Sequence, residues 1–130
     1  MFDMYTEVIL DYYRYPRNYG RLDGANAQAR DLNPLCGDEI EIYTKIENGK
    51  IADIKFSGKG CAISQAAASM LTEFLKGKTV EQARNISKEN VLEMLGIEIS
   101  HVRLRCALLG LKVAKTAVYN YLGEKMNEEM

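Results

Sequence analysis

Residues 39–57 constrain the fold more than any other stretch of this chain. Ile40, Ile42, Thr44 and Ile46 alternate with Glu39, Glu41, Tyr43 and Lys45. After Asn48-Gly49 a second alternation sets Ala52, Ile54 and Phe56 against Asp53, Lys55 and Ser57. Period-two patterning marks half-buried strands, and a short glycine-containing link between two of them marks an antiparallel hairpin. Register narrows the turn. A two-residue Asn-Gly loop pairs Ile46 with Ile51 and Ile42 with Lys55, which sends the two apolar sets to opposite faces. A three-residue loop, Glu47-Asn48-Gly49, pairs Ile42 with Ile54 and Ile40 with Phe56, so the faces agree. The expectation is a type I turn with a G1 bulge and a left-handed Gly49.

From Ala62 the period changes. Ile63, Ala67, Met70, Leu71, Phe74 and Leu75 suit a buried helix that stops at Gly77. Thr79 with Gln82 forms a capping-box pattern for a short helix over 80–85, and Ser87 caps another over 88–95, closed by Gly96. A last helix is expected over 102–122, with Leu104, Leu108, Leu111, Ala114, Val118 and Tyr121 as its apolar stripe and Gly123 after it. At the other end, Met4, Tyr5, Val8, Ile9 and Tyr12 share one helical face, with Asp3 as N-cap and a stop near Tyr15, ahead of Pro16. Residues 16–37 read as a long connection with one edge strand near 26–30. The predicted class is α+β: a small antiparallel sheet of about three strands with helices packed on one face, in a single domain spanning 1–130.

Charge and length exclude several classes. Seventeen basic against eighteen acidic residues leave a formal charge of −1, without the broad basic footprint of a nucleic-acid binder. No apolar run reaches the roughly 18–20 residues of a membrane span. An acid at position 3, with no apolar stretch following, does not read as a signal peptide, so a cytoplasmic location is expected.

Three cysteines remain: Cys36, Cys61 and Cys106. An odd, widely spaced set is no disulfide framework, and each is either core filler or ligand. Each stands at an element boundary. Cys36 precedes the first hairpin strand in Cys36-Gly37-Asp38. Cys61 follows the second in Gly58-Lys59-Gly60-Cys61 and directly precedes a helix. Cys106 lies in the opening turns of the last helix. A helix N-terminus offers unpaired N–H donors and partial positive charge, an environment that favours thiolate, the form that binds metal and attacks sulfur. Gly58, Gly60 and Gly37 leave room around the cysteines. No Cys-x-x-Cys pair is present, so zinc-ribbon and ferredoxin patterns are missing.

Cys36-Gly37-Asp38, then Gly58-x-Gly60-Cys61-Ala62-Ile63-Ser64 with Ala67, Ala68 and Ser69, then Arg105-Cys106-Ala107-Leu108-Leu109 resemble the U-type iron–sulfur cluster scaffold proteins. Asp11-Tyr12-Tyr13-Arg14-Tyr15-Pro16-Arg17-Asn18-Tyr19-Gly20 resembles that family's Pro-Arg-Asn segment. The resemblance runs in order over nearly the whole chain. It implies a scaffold without turnover of its own, which accepts sulfur from a cysteine desulfurase, assembles a labile [2Fe-2S] cluster and passes it to apo iron–sulfur proteins. The implied ligands are Cys36, Asp38, Cys61 and Cys106, with Cys106 leaning toward the role of sulfur acceptor.

Where many members have a histidine before the third cysteine, this chain has Arg105, which offers a metal no lone pair. Members of a zinc-dependent, sulfur-accepting branch also carry a basic residue there, usually with an insertion between the second and third cysteines that is not evident here. The alternative reading is thus a Zn²⁺-binding sulfur acceptor that stimulates a desulfurase. The family's chaperone-recognition motif has the proline-free counterpart Ile99-Ser100-His101-Val102-Arg103, so a dedicated Hsp70-type chaperone is not expected. His101 reads as a solvated residue. Lys59, Arg103 and Arg105 are either solvated charges or stabilisers of thiolate. Tyrosines 5, 12, 13, 15 and 19 pack in the core or form a contact surface, for a partner or a homo-oligomer.

Overall fold

The computed structural model describes residues 4–34 and 37–123, with side-chain burial given from residue 6 onward. Helix α1 (Met4–Arg14) is followed by strands β1 (Ala27–Asn33), β2 (Asp38–Glu47) and β3 (Lys50–Lys59). Helices α2 (Ala62–Leu75), α3 (Val80–Asn85), α4 (Lys88–Leu95) and α5 (Leu104–Leu122) complete the order, with one 3₁₀ turn, His101–Arg103, leading into α5. The expected N-cap Asp3 lies outside the described residues.

The strands form one antiparallel sheet in the order β1-β2-β3. Its inner face carries Ile40, Ile42, Thr44 and Ile46 from β2 and Ile51, Ile54 and Phe56 from β3, none more than 3% exposed. α5 lies against β1 and β2, α2 against β3, and α1 against α2. The expected α+β layout is therefore the observed one. The edge strand is longer than expected and begins one residue later.

The hairpin reaches face agreement by a different route from the expected one. Glu47 pairs with Lys50, so the loop is the two-residue Asn48-Gly49, and both residues are left-handed (φ 53° and 74°), as a type I′ turn requires. Ile46 pairs with Ile51, but Lys45 pairs with Asp53, because the register shifts between Lys45 and Ile46. Ala52 is the extra residue; it is exposed, and Ile51 takes its expected place in the core. The bulge sits in the strand rather than in the turn, and Ile42 faces Phe56 rather than Ile54.

The helix caps follow the local chemistry. Thr79–Gln82 and Ser87–Asn90 both close reciprocal capping boxes, and Gly96 and Gly123 end their helices in the left-handed conformation. Two apolar faces differ from expectation. Phe74 is 45% exposed, while Ser64–Thr72 of α2 is buried on every side, as befits a helix wedged between α1, α5 and the sheet. On α5 Leu111, Ala114 and Val118 are buried as expected, the buried face also takes in Cys106, Ala107, Leu109, Gly110, Val113 and Ala117, and Leu104 and Leu108 are half-buried and Tyr121 exposed. The small residues allow close approach: a side chain at Gly110 would stand 3.3 Å from Ala68 of α2. This contact sets the height of α5, and so of Cys106, relative to α2.

Candidate metal centre

Three chain segments converge at one end of the sheet. Asp38 opens β2 on its inner face and is fully buried. Cys61 is the N-cap of α2 and is half-buried; Cys106, one turn into α5, is fully buried. One ligand atom from each of Asp38, Cys61 and Cys106 lies within 4.8 Å of the other two. A tetrahedral ion with bonds of about 2.0–2.3 Å holds its ligands roughly 3.3–3.8 Å apart, so the trio needs to close by only about an ångström. Cys36, the fourth expected ligand, lies outside the described residues, two positions before Asp38 in the chain.

Hydrogen bonds fix Cys61 against Asp38. The Cys61 N–H donates to Asp38 Oδ1 over 2.8 Å, and the thiol faces Oδ2 at 3.8 Å. The Ser64 N–H donates to Cys61 Sγ at 3.5 Å, so the sulfur caps the helix as a serine hydroxyl would. Ser64, itself fully buried, turns its hydroxyl back to the Cys61 carbonyl at 3.0 Å. The capping role of Cys61 was visible in its placement before a helix; the backing by Ser64, at the third helical position, had its signal in the Cys61-x-x-Ser64 spacing.

The two glycines before Cys61 are needed for a more specific reason than open space. Gly60 has φ +151°, and a Cβ there would stand 2.2 Å from Asp38 Oδ1. Gly58 has φ +144°, and a Cβ would fall 1.9 Å from the Glu39 carbonyl oxygen. Absence of side chains lets β3 close onto β2 and delivers Cys61 to the carboxylate. Gly37 differs: it is left-handed at φ +73° with nothing near its missing Cβ.

Lys59, His101, Arg103 and Arg105 are all exposed around this end. Arg105 points to solvent beside a buried Cys106 and joins no ligand cluster among the described residues. The exposed cations add positive potential at the mouth of a site built from two soft donors, the thiols, and one hard donor, the carboxyl. No helix among the described residues is long and apolar enough to cross a membrane.

A buried carboxyl and two thiols, borne by the start of a strand and the starts of two helices behind a three-stranded antiparallel sheet, define a class of small α+β proteins with a candidate metal pocket. The NifU-like N terminal domain family matches residues 4–128, and the chain belongs to that family. The iron-sulfur cluster assembly scaffold protein IscU 1 of Archaeoglobus fulgidus is 37% identical over 118 residues, covering 91% of this chain and 76% of that protein. The zinc-dependent sulfurtransferase SufU of Bacillus subtilis is 33% identical over 132 residues, covering 88% and 89%. A solved structure from Fervidobacterium islandicum AW-1, a candidate iron-sulfur cluster assembly scaffold for the SUF system, superposes with a TM-score of 0.72 at 29% identity, over 86% of this chain and 94% of that one.

Proposed function

We propose that the protein is a scaffold on which an iron–sulfur cluster is assembled and from which it is released. The observation that carries this reading is the convergence of Asp38, Cys61 and Cys106 ligand atoms within 4.8 Å from segments 23 and 45 residues apart. Cys36 completes the set as the third thiolate. Three soft thiolates and one hard carboxylate favour binding with one exchangeable ligand, which suits a cargo that must leave. A [2Fe-2S] cluster is the cargo that four such groups on one chain accommodate.

Sulfur arrives from a cysteine desulfurase as a persulfide, and a thiolate of the scaffold takes its outer sulfur while the desulfurase thiolate departs. Cys106 is the acceptor implied by family resemblance, and it is fully buried, whereas Cys61 is half-buried. The route to Cys106 runs either through an opened rim or by persulfide exchange from Cys61, whose sulfur belongs to the same close trio. Apo iron–sulfur proteins receive the finished cluster. The thiols this chemistry uses must stay reduced, which fits a cytoplasmic location.

A second reading has its own support: Arg105 stands where a histidine ligand would be, and the zinc-dependent SufU of B. subtilis is among the relatives. The same Cys₃Asp set suits tetrahedral Zn²⁺. Anaerobic reconstitution with ferrous iron, cysteine, a desulfurase and a thiol reductant that takes persulfide sulfur to sulfide separates the two. A visible-absorbing, sulfide-containing product that transfers to an apo-ferredoxin supports the scaffold. Tight zinc, accelerated desulfurase turnover and no cluster would establish the sulfur acceptor instead.

A further inference from the structure

The segment between α1 and β1 does more than connect. Residues 17–20 run beside the free edge of β3, with Tyr19 bridged to Phe56 in parallel. The Phe56 N–H donates to the Asn18 carbonyl at 2.9 Å, and the Gly20 N–H to the Phe56 carbonyl at 2.8 Å. α2 anchors this strap: the Arg17 N–H donates to Ser69 Oγ at 2.7 Å and Asn18 Nδ2 to Thr72 Oγ1 at 3.3 Å. Asn18 is left-handed at φ 59°, a conformation asparagine tolerates better than most residues.

Backbone pairing stops at Gly20, two residues short of the Gly58 carbonyl. The Tyr19 side chain covers that gap. Its ring meets Phe56 edge-on, centroids 5.2 Å apart, and its hydroxyl donates to the Gly58 carbonyl at 3.0 Å. Gly58 and Gly60 flank Lys59, two glycines at positive φ immediately before Cys61. A tract with two glycines in three residues has little stiffness of its own. β2 holds one side of it, pairing Ile40 with Gly58 and Glu39 with Lys59, and the Gly58 carbonyl on the other side is held by Tyr19.

We propose that Tyr19 is a positioning residue for the metal centre: its hydroxyl clamps the Gly58–Gly60 tract and so holds Cys61 in register with Asp38 and Cys106. The ring, fixed on Phe56 and tied through the strap to Ser69 and Thr72, gives the hydroxyl a rigid base. The binding aspect of this proposal rests on the metal-centre reading above; the clamp itself does not.

The test compares Tyr19→Phe with the full wild-type chain, and uses Tyr13→Phe, a change at another exposed tyrosine, as control. Two quantities are followed: hydrogen exchange of the Cys61 amide in the apo-protein, and Co²⁺ affinity from sulfur-to-metal charge-transfer absorption. Loss of one such hydrogen bond corresponds to about a three- to tenfold effect. The expected result for Tyr19→Phe is a Cys61 amide exchanging about three- to tenfold faster and Co²⁺ binding weakened by a similar factor. Core amides such as Ile42 and Leu71 should keep their wild-type rates, and Tyr13→Phe should change neither quantity. A Cys61 amide exchanging at the wild-type rate in Tyr19→Phe overturns the clamp. Faster exchange of core and Cys61 amides together also overturns it, since the hydroxyl would then serve general stability. If wild type binds no Co²⁺ while Cys61 exchange still responds selectively, the clamp stands and the metal-centre reading falls.

Discussion

The backbone N–H of Cys61 is bonded to a carboxylate oxygen of Asp38, 2.8 Å away, so one candidate ligand fixes the backbone that carries another. Asp38 has no exposed surface, and its remaining oxygen faces the Cys61 sulfur. Asp38→Ala removes both functions and leaves a half-buried N–H without its acceptor, at a cost of about 1–3 kcal/mol. The expected outcome is a lower melting temperature for the apo-protein and slower transfer of a reconstituted cluster to an apo-ferredoxin. Transfer as fast as wild type would remove Asp38 from the release step.

Gly60→Ala should damage the centre more than its size suggests. Its methyl group would overlap Asp38 Oδ1 at 2.2 Å, on a backbone already at φ +151°. Either the carboxylate or the loop must move, and Co²⁺ or Zn²⁺ affinity should fall by about fivefold or more, given strain of about 1–3 kcal/mol. Gly24→Ala also sits at a positive φ, +81°, but meets nothing within 4 Å and lies outside the Tyr19 strap. It should leave metal affinity near wild type, and chelator competition measures both.

The two described thiols differ in access. Iodoacetamide applied to the metal-free protein should label Cys61, which is half-buried, well before Cys106, which is fully buried. Peptide mass spectrometry resolves the order, and prior loading with Zn²⁺ should protect both if both are ligands. Equal labelling rates would mean that the start of α5 opens readily, and would put Cys106 in direct reach of an incoming persulfide.

Contact between α2 and α5 is size-limited. At Gly110 an added Cβ stands 3.3 Å from Ala68 Cα and Cβ, a squeeze that a shift of a few tenths of an ångström relieves. Gly110→Ala should therefore be close to neutral, the gain in helix propensity offsetting the crowding. Gly110→Leu should cost about 1–3 kcal/mol by overpacking, read from denaturant unfolding. Because Cys106 rides on the same helix, it should also weaken metal binding.

Asp31 on β1 and Lys112 on α5 form an ion pair of 2.7 Å that ties this helix to the sheet edge. The Lys112 ammonium, aided by the Leu32 N–H, holds the Asp31 carboxyl below its ordinary range, against the opposing effect of burial. A depressed carboxylate stabilises the fold above its unfolded-state pKa and loses that contribution as pH falls through the folded one. Lys112→Gln should raise the Asp31 titration midpoint observed by NMR and lower stability at neutral pH by less than about 1 kcal/mol, since the pair is partly solvated. The difference from wild type should vanish once the pH is below Asp31's depressed midpoint. A midpoint unmoved by the substitution would show that Lys112 does not set it.

Most of the elements were legible in the sequence because they are local. Alternation over 39–46 identified β2, and Thr79 with Gln82 three residues on and Ser87 as an N-cap announced two helix starts; the Asn90 side chain that completes the second box appears only in the structure. The hairpin turn was misjudged because face agreement can be restored anywhere along a strand; the bulge at Ala52 is stabilised by the burial of Ile51, which no neighbour in sequence reports. Phe74 had the right spacing for a core residue, yet it is 45% exposed, with the Lys78 ammonium over its ring.

At the site the division is similar. Residue types carried the chemistry: two or three thiols, an acid beside one of them and glycines before another are readable one by one. Their meeting within 4.8 Å was not. That depends on the glycine-permitted closure of β3 on β2 and on the spacing that Gly110 and Ala68 allow between two helices. Periodicity and capping arise among residues two to four apart, where covalent geometry limits the options. The distances among residues 38, 61 and 106 arise only when separate layers pack, and packing is decided by the whole set of side chains that must share the interior.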